Sequence, residues 1–357
     1  MIKGLGLKEL AEKIESQHQH KLDMVADTRQ LEMVRVGDAG GQMLDTPEGR
    51  FTVRGVAHNQ IATHTGIPRQ YYDTMQKDAP QLLATNVNEW FRLNPARRMV
   101  RAMQTGAASP GVRAFLSDRY QRIEHEEIAE TVLPVLLDVP GIQVVSSEVT
   151  ERKLYIHAVT SRIQREVKVG DVVEAGVVIQ NSEVGLGSVS VQPLVWRLIC
   201  LNGMKVPDGG FKRHHVGRRV AEDEQLDQVW ADDTRRSDDR TVQLKVRDTV
   251  RLALDEVRFG KRVEQMRQLA DGSAKVTGDP VKAIEVLSKR HGISEGERPS
   301  ILRSLIDGGD LSAWGVLNAV TAQAHGSAYD RAVEFEAMGG ELLAMPASEW
   351  RPILEAA

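Results

Sequence analysis

The middle of the chain constrains the fold most. Residues 154–160 (LYIHAVT), 172–180 and 185–191 are short apolar stretches rich in β-branched residues. They predict three successive strands of a central antiparallel sheet. Residues 194–201 (LVWRLICL) stay apolar without a break. A buried strand and the start of a helix both fit that run, and its length does not separate them.

The flanks carry other patterns. Residues 1–50 open with an amphipathic set (Leu5, Leu7, Leu10, Ala11, Ile14) and then turn irregular. They read as an N-terminal arm. Residues 56–76 suit two short helices broken at Thr65-Gly66, and Leu82 to Trp90 a third. Within 97–120 two strands are expected around a turn from Gly106 to Gly111. Ile128, Val132, Val135 and Leu136 have helical spacing, with Pro134 as a kink. Residues 221–240 hold eight Asp/Glu against three Arg and read as a surface linker. Beyond, Val246, Val250, Leu254 and Val257 form a helical stripe, and further helices are predicted at 279–291, 297–307, 311–324 and 327–344. The expected fold is α+β. It has an arm at 1–50, a core at 51–220 with the central sheet flanked by helices, an acidic linker at 221–241 and a helical C-terminal region at 242–357.

Composition narrows the function classes. A chain of 357 residues can bury a real core. Its single cysteine, Cys200, excludes an internal disulfide framework and a multi-thiolate zinc site. It fits a reducing compartment, and in an apolar run it reads as a packed, inert thiol. The net charge of −4 does not favour a polyanion, so binding one needs a local basic patch. No run reaches signal-peptide or membrane-span length. The expectation is a cytoplasmic protein with no membrane partner.

Motifs with defined chemistry are sparse. There is no phosphate-binding P-loop, no G-x-S-x-G elbow and no H-E-x-x-H. Gly185-Leu186-Gly187 is too short for a dinucleotide fingerprint, and a hairpin turn explains it better. His214 and His215 are neighbours whose side chains diverge in extended chain, a poor start for a metal site. No metal and no cofactor is expected. Glu166-Val167-Lys168 with Asp171 is a faint trace of a metal-dependent nuclease. The helix pair at 58–76 has helix-turn-helix form, with Arg69 and Gln70 polar but Tyr71, Tyr72 and Met75 suited to packing.

Two basic clusters remain. Residues 205–219 hold Lys205, Lys212, Arg213, Arg218 and Arg219 against Asp208, with Phe211 among them and Gly209, Gly210 and Gly217 for pliancy. Cations for phosphate and a ring for base stacking are the parts of a single-strand binder. An ordinary solvated loop, balancing the acidic stretch after it, is the plainer account. Arg97, Arg98, Arg101, Arg113, Arg119 and Arg122 form the second cluster, and arginine forks suit phosphates or carboxylates. Some are expected to pair with Glu124 and Glu126.

The segment 177–204 resembles a phage and plasmid family known as a domain of unknown function, DUF932. The resemblance is carried by Asn181-Ser182 and by Arg197, Cys200, Asn202 and Gly203. Gly66-Ile67-Pro68 with Tyr71-Tyr72, Leu116-Ser117-Asp118-Arg119-Tyr120, and Asn318-Ala319-Val320-Thr321 are similar to further motifs of that family. It covers roughly residues 50–340. Where relatives often have Tyr-Asp after Asn-Ser, Glu183-Val184 stand here. The resemblance implies a mobile genetic element as habitat and leaves the biochemical role open. Asn202-Gly203 suits a tight turn or helix stop, and Arg197 and Arg119 suit phosphates or buried carboxylates.

The strand order is also similar to the cores of single-strand annealing proteins, an analogy of fold alone. The leading expectation is a non-enzymatic protein of a phage, prophage or plasmid that binds or anneals single-stranded DNA. Its ligands would be Arg97, Arg98, Arg101, Arg113, Arg119, Arg197, Lys205, Lys212, Arg213, Arg218 and Arg219, with Phe211 stacking. A homo-oligomer is expected, with a ring as the form the analogy suggests. The alternatives are a module that inhibits a host protein, using the acidic 221–240 segment as a nucleic-acid mimic, and a metal-dependent nuclease using Glu166 and Asp171.

Overall fold

The computed structural model describes residues 4–36, 41–104, 110–120, 122–207, 209–213 and 232–356, with the backbone alone at Arg213, 232–239 and Gln243. Helix α1 (Leu7–Gln19) leads into strands β1 (Lys21–Asp27), β2 (Glu32–Val36), β3 (Gly41–Thr46) and β4 (Gly49–Val53). Helices α2 (Gly55–Thr65), α3 (Arg69–Asp78) and α4 (Pro80–Leu93) follow, then β5 (Arg97–Met103) and β6 (Gly111–Ser117). These six strands form one sheet in the order β1-β5-β6-β4-β3-β2. All pairs are antiparallel except β4 with β6. A parallel pair needs a long crossover, and α2–α4 supply part of it. Their apolar faces (Ile61, Tyr72, Leu83, Val87 and Phe91) bury Leu44, Phe51, Val100 and Phe115 of the sheet.

The described residues of 1–50 are therefore not an arm but a helix and three strands, with β4 beginning at Gly49. The sequence hides this because the strands are short and half polar. On β3 the buried positions alternate, but one of them is Gln42, whose amide donates to the Pro80 carbonyl at 3.0 Å. The helix break at Thr65-Gly66 is as expected: Gly66 ends α2 at φ 68°, which its missing Cβ permits.

The second sheet follows α5 (His125–Leu137). Its strands are β7 (Ile142–Val149), β8 (Leu154–Lys168), β9 (Asp171–Asn181), β10 (Val189–Arg197), β11 (Asn202–Lys205) and β12 (Phe211–Arg213). The antiparallel order is β11-β10-β9-β8-β7, and β12 joins the other end of β10. The rest is helical: α6 (Asp232–Ala253), α7 (Glu256–Ala270), α8 (Pro280–His291), α9 (Arg298–Asp307), α10 (Ala313–Thr321), α11 (Tyr329–Ala344) and α12 (Ala347–Leu354). The mixed α/β class and the helical C-terminal region are as read from sequence. One face of this sheet (Ile156, Val177, Ile179, Val191) enters the large core shared with the helices. The other meets α11, where His157 lies 2.9 Å from Glu336 and the Tyr155 hydroxyl donates to Asp330.

Three local expectations are corrected. The third central strand starts at Val189, because Gly185 (φ 74°) turns the chain first. The 194–201 run is strand through Arg197 and then a turn, and Leu201, not Asn202-Gly203, takes the positive φ (48°). Asn202 instead opens β11 and donates to the Thr321 hydroxyl at 2.6 Å. The linker is shorter than 221–241, since α6 begins at Asp232, where acidic residues suit a helix N-terminus. The linker's first part lies outside the described residues.

The two sheets are locked together by the β9–β10 loop. Glu183, 1% exposed, accepts from Lys21 of β1 at 2.9 Å, from Arg113 of β6 at 3.1 Å and from the His125 amide at 2.7 Å. Val184 packs with Val56 of α2 and with Met99, Ala114 and Leu116 of the first sheet. Burial alone would raise the Glu183 carboxyl, but His125, Arg113 and Lys21 together outweigh it and hold the group far below its usual 4.5. The stabilisation is therefore present above about pH 4.5 and is lost as pH falls below it. Glu183→Gln takes the carboxylate from buried Arg113 and one of two from Lys21, which keeps Glu124, and should cost about 3–5 kcal/mol at pH 7. In urea denaturation the gap to wild type should narrow below pH 4.5. Equal stability at pH 7 would contradict this account of the joint.

Candidate functional site

Period-two alternation brings a polar rung to the α11 face of the second sheet. Gln180 on β9, Ser190 on β10 and Lys212 on β12 are direct cross-strand partners. The neighbouring residue Phe211 pairs with Val191 and packs against the large core instead. Lys153 enters from the β7–β8 turn, where its amide donates to the Thr150 hydroxyl. Gly187 makes room for it, since a Cβ there would sit 3.1 Å from the lysine's Cε. Lys205 ends β11. Gly340 lets α11 lie directly on that strand, its missing Cβ falling 1.6 Å from the Lys205 carbonyl oxygen.

The result is a cleft of about 350 Å³ between the sheet and α11, lined by Lys153, Lys205 and Lys212 with Gln180, Ser190 and Gln192. Lys205 is nine-tenths buried. Desolvation pushes its pKa down to about 8, with Lys153 and Lys212 adding to the fall and Glu336 opposing it. Desolvation also lowers Lys153. Gln180 is 93% buried, as its 7% exposure gives, and its Nε2 has no hydrogen-bond partner among the described residues. Within the described residues, no carboxylate lies in ion-pair range of the three lysines. Of the carboxylates nearby, one Glu336 oxygen lies against His157 while the other has no partner among the described residues, Asp330 accepts from Tyr155 and Thr150, Glu334 accepts from Arg331, and Glu341 lies 3.3 Å from His291. Such a cleft can hold an anion.

The arginines behave differently. Arg101 is fully buried, its guanidinium donating to Asp23, Glu124 and the Glu183 carbonyl. Arg113 is buried against Glu183. Arg197 forks onto Asp171 at 2.6 and 2.9 Å and lies over Trp314. These three do not reach phosphate, because in a low dielectric they are already neutralised by carboxylates. Arg98 is half-buried, donating to His64 and lying over Phe115. Arg97 and Arg119 are exposed. Phe211 is corrected too, since it faces the core and does not present a ring for stacking. The Arg213 side chain, Arg218, Arg219, His214 and His215 lie outside what is described. Of the predicted ligands, the fold gathers Lys205 and Lys212. It adds Lys153, which sequence reading missed because that lysine lies far off in the chain and outside any basic run.

Other candidates recede. Both Asp171 oxygens are taken, by Arg197 and by the Trp314 indole N–H at 2.9 Å, so of the two carboxylates in the nuclease reading, Glu166 and Asp171, the second is engaged in the fold. Among the described residues no cluster of three or more His, Cys, Asp or Glu is placed to hold a metal. In the helix pair, Tyr72 and Met75 are buried and Arg69 pairs with Asp73. Cys200 is half-exposed beside Arg197, not packed in the core. No helix among the described residues is long and apolar enough to cross a membrane.

A family profile described as Domain of unknown function (DUF932) matches residues 113–338, from β6 to α11. No curated protein and no solved structure matches the chain.

Lys205 supplies a test of the site. Its lowered pKa means that the folded state binds fewer protons than the unfolded between about pH 8 and 10, so its contribution improves as pH rises through that range. Lys205→Met should therefore raise stability by roughly 1–3 kcal/mol at pH 7, a gain that shrinks by pH 10. A loss of stability at pH 7 in chemical denaturation would mean that Lys205 serves the fold.

Proposed function

We propose that this chain, which belongs to the DUF932 family, binds single-stranded nucleic acid and seats a phosphate in the lysine cleft. The observation that carries the reading is Lys205, a lysine nine-tenths buried beside two others, with no carboxylate in ion-pair range among the described residues. A buried cation without a partner costs stability, and a ligand anion would offset that cost. The size of the cleft supports a single strand over a duplex. A duplex holds its phosphates on a stiff, convex surface, whereas a flexible strand can lower one phosphate between sheet and helix. Exposed Arg97 and Arg119 are available for further phosphates. In this reading the protein works in the cytoplasm, and oligomers form through edge strand β1, which exposes Leu22 and Val25.

Fluorescence anisotropy with labelled oligo-dT and a duplex of equal length tests this. The single strand should bind more tightly, and affinity should fall with salt by about 0.7 log units per log unit for each phosphate contact. Lys153→Ala with Lys212→Ala should weaken binding at least tenfold and flatten the salt slope. Equal affinity for both forms, or an unaffected double variant, would remove the cleft from any nucleic-acid site.

A further inference from the structure

We infer that the cleft takes the end of a strand, a terminal phosphate, in preference to an internal phosphodiester. The inference rests on the nucleic-acid reading and narrows it. An internal phosphodiester carries one charge, and the chain leaves it on two sides. A terminal phosphate carries about −1.5 to −2 at neutral pH, presents three free oxygens and leaves on one side only.

The cleft matches the second group on each count. Its depth is closed: Lys205, Ser190 and Gln180 are all more than nine-tenths buried or at that limit, and α11 lies directly on β11 behind them. Its donors come from three directions, with Lys153 on a turn, Lys205 on β11 and Lys212 on β12, and the Ser190–Gln180 rung runs between them. Three lysines line it, and Glu336 and Glu334 act on Lys205, and Asp330 and Glu334 on Lys153, only from beyond ion-pair range among the described residues. Glu341 lines the cleft but is exposed and faces His291, Glu334 accepts from Arg331 and one Glu336 oxygen lies against His157. The amide nitrogen of Gln180, without a partner among the described residues, is one more donor beside a small anion. Its volume of about 350 Å³ suits one nucleotide, not a run of them.

The experiment compares short oligo-dT strands carrying a 5′-hydroxyl, a 5′-phosphate or a 3′-phosphate, with inorganic phosphate as competitor, on the full chain and on Lys205→Met and Ser190→Ala. One of the phosphorylated ends should bind at least tenfold more tightly than the hydroxyl end. Inorganic phosphate should erase that preference, and both variants should reduce it. The preference should be greatest between about pH 6 and 8, where the phosphate is doubly charged and Lys205 still protonated. Equal affinity for all three strands overturns the inference and leaves the nucleic-acid reading standing. Binding of inorganic phosphate with no binding of any strand overturns both. Ser190→Ala guards against misfolding, since it removes only a hydroxyl.

Discussion

Glu183 accepts hydrogen bonds from Lys21, Arg113 and the His125 amide in a site that is 1% exposed to solvent. Each donor comes from a different stretch of chain: the first strand, the sixth, and the start of α5. Arg101 closes the set by binding the Glu183 carbonyl while holding Asp23 and Glu124. A buried carboxylate is tolerated only with such a complement of charge, so the cluster forms completely or not at all. It fixes how the β9–β10 loop enters the first sheet. That in turn fixes the far end of β10, where Ser190 and the lysine cleft lie.

Other motifs that made the sequence resemble its family act in the same way. Tyr120 of the Leu-Ser-Asp-Arg-Tyr segment donates to the Ser182 carbonyl, and Asn181 donates to the Ile123 carbonyl. Asn202 reaches Thr321, and Arg197 reaches Asp171, which the Trp314 indole also holds. Each pair joins segments far apart in sequence. These residues stand out as motifs because they hold the fold, and they show little of what the protein binds. Glu183-Val184, the place where the chain departs from the family pattern, is the joint itself.

Legibility followed the same physics. Elements with strong periodicity were readable: α2 and α3 broken at Gly66, the β5–β6 pair, β8, β9 and the C-terminal helices. The first four strands were not, because they are short and bury polar Gln42 where an apolar residue signals a strand. Charge was the least legible feature. Arg101 and Arg113 lie in an arginine-rich stretch that looks like a surface patch, and only the fold shows Asp23, Glu124 and Glu183 closing round them. Lys153 gave no signal, since its partners Lys205 and Lys212 are neighbours through sheet pairing alone. Phe211 was assigned to the wrong face because alternation along β12 becomes visible only once its register with β10 is known.

What separates this cleft from an ordinary solvated surface is that Lys205 lies nine-tenths buried in it beside Lys153 and Lys212. The most direct measurement is an NMR pH titration of the Lys205 side chain, free and saturated with oligo-dT. The account predicts a midpoint near 8 in the free protein, rising when the strand binds because a phosphate favours the charged form. A midpoint at the ordinary lysine value of about 10.4, or one that the strand leaves unmoved, would contradict it.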